Sequence, residues 1–173
     1  MRTFALIAII IALGIFLLLR QRSSQMTQRE FKSTDELVQY SAAEAVADAA
    51  KQDHVELDYS VDSIEKVDGI LGKLHDLYVK DQSSVLVAPL ARAYGAYIGE
   101  AIRRSEPGTK WARDHRVMGE KSYPLNWRGG ESFPMAWCYR RIVNGPEDDV
   151  WIKYLAIKQG RTKQLREQIQ LPE

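Results

Sequence analysis

The apolar positions of this chain begin as one block. From Phe4 to Leu19 it reads FALIAIIIALGIFLLL, sixteen residues without a polar side chain, with Arg2 ahead and Arg20 and Arg22 behind. A helix of that length covers roughly 24 Å, a little short of a ~30 Å hydrocarbon core, and snorkelling arginines make up the difference. A cleaved secretory signal is the rival reading. Its apolar core normally runs to about 15 residues at most, and RQRSSQ follows here where small cleavage-site residues belong. The pattern therefore predicts a transmembrane anchor over 1–22, and the aperiodic polar stretch after it reads as a tether over 23–29.

From residue 30 the pattern becomes amphipathic. Ser33 and Glu36 form a capping box, and Leu37, Val38, Ala42, Ala45, Val46 and Ala49 follow at helical spacing. The VELDYS segment, 55–60, alternates and reads as an edge strand or an extended connection. Ser60 then caps a helix with Ile64, Val67, Leu71, Leu74 and Tyr78 on one stripe. A third helix spans about 84–104, with Pro89 confined to its first turns. Strand-like stretches follow near 109–117 and 121–127, the second pushed to a sheet edge by Pro124. Arg128, Gly129 and Gly130 read as a break, and Ser132 with Pro134 as a helix start. That helix lines up Met135, Cys138, Tyr139 and Ile142 and ends at Asn144 and Gly145. A last helix carries Val150, Trp151, Tyr154 and Leu155, and 160–173 reads as a polar tail. The fold class is α+β: an N-terminal transmembrane helix, then one compact domain over 30–159 of about five helices and a small antiparallel sheet.

Composition narrows this picture rather than changing it. The 173 residues are 45% hydrophobic, with 24 Lys plus Arg against 23 Asp plus Glu and a net charge of +1. So balanced a chain has no overall field to draw a polyanion, and nucleic acid is not expected as a partner. The single Cys138 excludes an internal disulfide. Around the apolar block, Arg2 alone stands on one side and Arg20, Arg22, Arg29 and Lys32 on the other. The membrane is expected to be a bacterial inner membrane, and that count favours a domain in the cytoplasm; an amine and one arginine ahead of an apolar run also begin exported anchors, which leaves a periplasmic domain as the alternative.

The segments ELDYSVDSIEKVDGIL, YGAYIGEAIRR, PGTKW and FPMAWCYRRIVNGPEDDV, in that order, resemble an uncharacterised bacterial domain-of-unknown-function family of small α+β domains. The likeness runs from Val55 to Tyr154 and centres on Gly95, Tyr97, Gly99 and Glu100, then Trp111 and the Asn144 and Gly145 turn. It implies one compact α+β domain and no catalytic residue.

Ala91, Gly95 and Gly99 recur at four-residue spacing. Each glycine costs about 1 kcal/mol in a helix interior, which a close helix crossing offsets. Glu100 beside them is the carboxylate suited to acid or base work if buried, but an ion pair with Arg104 four residues on is the simpler expectation. Cys138 lies on the apolar stripe and reads as a core thiol. The histidines, His54, His75 and His115, share no ligand spacing, so neither metal nor cofactor is expected. Trp, Tyr and Arg concentrate in the second half, and helix geometry turns Trp137, Arg140 and Arg141 away from the stripe. The resulting expectation is a single-pass, non-catalytic domain that binds an unidentified protein, with Glu100, Arg103, Trp137, Arg140 and Arg141 as interaction candidates. Its alternative is a membrane-tethered hydrolase or ligand-binding domain using Glu100.

Overall fold

The structure, a computed structural model, describes residues 30–169 apart from 129, with side chains through 160. The expected anchor over 1–22 and tether over 23–29 lie outside the described residues. Among those described, no helix is long and apolar enough to cross a membrane. The domain is α+β, with helices α1 (Thr34–Asp48), α2 (Val61–Lys80), α3 (Val87–Ser105), α4 (Pro134–Asn144) and α5 (Val150–Ile169). Between α3 and α4 lie strands β1 (Lys110–Trp111), β2 (Leu125–Trp127) and β3 (Gly130–Ser132), antiparallel in the order β1-β2-β3.

Local chemistry sets the helix starts. Ser33 caps α1 by accepting from the Glu36 N–H at 3.1 Å, while Glu36 reaches back to the Lys32 N–H at 2.9 Å, one residue before the usual capping-box partner. Ser60 caps α2 through the Ser63 N–H at 3.2 Å, and Asp149 caps α5 through the Ile152 N–H at 2.8 Å. Pro89 stands in the first turn of α3, where its missing N–H is harmless. Residues 55–60 are an irregular connection that ends in a bend and not a strand.

α3 is the central element, buried without interruption from Ala93 to Ile102. α1 runs antiparallel to it: Tyr94 Oη donates to Asp48 at 3.2 Å near one end, and Asp35 acts on Arg103 near the other. α4 crosses at Gly95, where the Met135 backbone occupies the space a side chain would need. Only glycine permits that approach.

Three details differ from the expectations. Pro124 precedes β2, which is the central strand; its carbonyl accepts the Ala112 N–H at 2.9 Å, so the missing donor falls outside the ladder. Gly130 belongs to β3, pairing with Trp127, where only a break was expected. Phe133, not Ser132, precedes α4; Ser132 Oγ is taken by Trp127 Nε1 at 2.9 Å. In addition, α5 continues to Ile169, past the point at which a polar tail was expected to begin.

Candidate functional site

The C-terminal half of α3 collects the residues singled out for chemistry. Gly99 leaves its face open, and the Trp111 indole of β1 fills the space its Cβ would take. That brings Trp111 Nε1 to 3.0 Å from Glu100 Oε1. Arg103 closes on the same carboxylate, Nε to Oε1 at 2.8 Å and Nη2 to Oε2 at 2.6 Å. Glu100 is only 4% exposed and receives three donors, so its negative charge is matched where water is scarce. The Glu100 hydrogen bond in turn holds the Arg103 guanidinium above its ordinary pKa. Both oxygens are so occupied, and the cluster's geometry is that of a clamp joining β1 to α3.

The expected partner was Arg104, but the pair forms with Arg103 at i+3. Arg104 lies instead over the Tyr59 ring, its guanidinium carbon 3.4 Å from the centroid. Tyr59 stacks on Tyr97 with centroids 4.5 Å apart, and its N–H donates to Tyr97 Oη at 2.6 Å. Ser63 Oγ donates to Ser60 O at 2.8 Å, so in the 2.6 Å contact with Ser63 the phenol is the donor. Burial raises the pKa of both phenols. These contacts hold Tyr59 at a φ of 65°, a left-handed conformation that a tyrosine rarely adopts.

The α4 candidates separate. Arg140 is exposed and lies 3.6 Å from Asp148, while Trp137 is half-buried against the core. Arg141 corrects the expectation of an exposed residue: only 8% accessible, it grips Asp68 through Nε at 3.0 Å and Nη2 at 3.1 Å. It follows Cys138 by three positions, so it flanks the stripe rather than opposing it. Tyr139, expected on the stripe, is 48% exposed.

Asp68 is the residue that sequence reasoning missed. It also accepts the Val150 N–H at 3.0 Å, at the start of α5, and so ties α2, α4 and α5 together. Its signal was a carboxylate four positions after Ile64 and beside Val67, on the margin of an apolar stripe.

Cys138 is fully buried, and burial drives its thiol well above the ordinary value of 9.0. A thiol held protonated is a poor nucleophile. His75 Nδ1 donates to the Ile142 carbonyl at 2.9 Å, and His115 Nε2 faces Glu131 at 3.0 Å, so both rings have other partners. Among the described residues no group of three or more His, Cys, Asp or Glu is placed to hold a metal ion. No family model, curated protein or solved structure matches the chain.

Proposed function

We propose that this chain is a single-pass membrane protein whose α+β domain docks another protein and performs no chemistry of its own. The carrying observation is that Glu100, the carboxylate best suited to acid–base work, has both oxygens engaged by Trp111 and Arg103. Two further features support the reading. The run Phe4–Leu19 has the composition of a membrane anchor, and Tyr139 and Arg140 stand exposed on the outer face of α4, residue types that anchor interfaces. The count of flanking arginines favours a cytoplasmic domain.

A photo-crosslinking residue at Tyr139 of the full chain, irradiated in native membranes, tests the docking. A discrete adduct that Arg140→Glu abolishes is the expected result. Glu100→Gln keeps that adduct while lowering stability by about 1–3 kcal/mol, because a charge-assisted acceptor is replaced by an amide. Loss of a measured turnover in the same variant, with the fold intact, overturns the reading in favour of a hydrolase.

A further inference from the structure

Between β1 and β2 the chain makes a narrow hairpin. The Tyr123 N–H donates to Arg113 O at 3.1 Å, and His115 and Gly119 exchange backbone bonds of 3.0 and 2.8 Å. The hairpin carries at its end the most exposed large hydrophobic side chain among the described residues, Val117 at 75%, with Met118 beside it at 58%. The loop that exposes this pair is held by local bonds. His115 Nδ1 accepts the N–H groups of both Val117 and Met118, at 3.3 and 3.0 Å. The ring is itself fixed by Glu131 at 3.0 Å and by an edge-on contact with Phe133 at 5.2 Å. The hairpin end thus turns backbone donors inward and apolar side chains outward, the arrangement that an apolar phase demands.

Its charge and place agree with that. From 110 to 131 five cations, Lys110, Arg113, Arg116, Lys121 and Arg128, face three carboxylates. Two of the three are engaged locally, Asp114 by the Lys121 N–H at 2.8 Å and Glu131 by His115. The chain enters the domain beside the base of this hairpin, because Asp35 in the first turn of α1 acts on Arg103, whose partner Glu100 holds Trp111 of β1. A tether over 23–29, even fully extended, reaches about 25 Å, so a domain held through it stays close to the bilayer.

We infer that the Arg116–Met118 hairpin end is a lipid-contact loop for an anionic bilayer. Val117 and Met118 seat at the boundary of headgroup and acyl chain, and Arg116 and Lys121 lie on headgroup phosphates, while Arg113 stays with Asp114 at 3.6 Å. This rests on the anchored reading above. The full chain, with a nitroxide at Val117→Cys and Cys138 left unlabelled by its burial, is reconstituted into phosphatidylcholine vesicles with and without phosphatidylglycerol.

The expected result is flotation with the vesicles, and a label several-fold more accessible to oxygen than to a water-soluble nickel chelate. Phosphatidylglycerol strengthens the effect and Arg116→Gln with Lys121→Gln weakens it. A label at Met118→Cys repeats the measurement, and one at Val79→Cys, at the far end of α2, stays aqueous. Flotation with an aqueous label at both 117 and 118 overturns the loop alone; a chain that does not float overturns the anchor and the loop together. Spin–spin broadening at 117 assigns the hairpin end to a second copy, and immobilisation only in native membranes assigns it to a protein partner. Either outcome overturns the lipid assignment.

Discussion

Asp68 shows how much one side chain can hold. Its carboxylate accepts both forks of Arg141 and the first N–H of α5, with side chains 14% and 10% exposed. A desolvated pair is weak evidence for net stability, but removing one partner leaves the other charge buried alone. Asp68→Ala is expected to cost about 3–5 kcal/mol in urea unfolding, and Arg141→Met in the same chain to recover part of it. The Glu100 cluster is less demanding, because Arg103 is 42% exposed and water can replace what it loses. Trp111→Phe, which deletes one donor while keeping most of the ring, is expected to cost about 1 kcal/mol by the same measurement.

At the scale of the element, glycines in helices have opposite meanings according to what faces them. Gly95 meets the Met135 backbone, which cannot swing aside as a flexible side chain would. Gly95→Ala therefore forces α3 and α4 apart, and a loss of about 3 kcal/mol or more in urea unfolding is expected. Gly69, exposed in the interior of α2, has nothing within 4 Å of the site its Cβ would take. Gly69→Ala is expected to raise stability by about 1 kcal/mol, read as a thermal midpoint a few degrees higher. The repeat of small residues predicted close packing without saying which glycine receives a helix and which an indole. The spacing treats both alike, and only the partner's position separates them.

For the whole domain, titration sets both edges of stability. Lys153 holds the Asp148 carboxyl below the ordinary 3.8, as Ser60 and Ser83 do for Asp58 and Asp81. A depressed carboxylate stabilises the fold above its unfolded value, and that contribution disappears as pH falls through the lower folded one. Burial raises the phenols of Tyr94, Tyr97, Tyr59 and Tyr154 above 10.0 and the thiol of Cys138 above 9.0. Their contribution is complete below those values and declines above them, where the unfolded chain ionises and the folded one resists. Urea midpoints are expected to stay level between about pH 5 and 8, then fall below about 4 and above about 9. Tyr94→Phe flattens the alkaline side.

Several features needed only the chain itself. Capping at Ser33 and Ser60, the stripe of α2, the place of Pro89 and the Asn144 and Gly145 ending are local, because hydrogen bonds within a turn and the 3.6-residue period act over a few residues. The α+β class followed from the order of those signals. Tertiary structure decided the rest. It chose Arg103 over Arg104 for Glu100, drew Arg141 inward to Asp68 seventy-three positions away, and made β2 central despite Pro124. A charged side chain on the margin of a stripe goes wherever a buried partner stands, and that partner comes from a different element. Period and spacing along one helix carry no record of it.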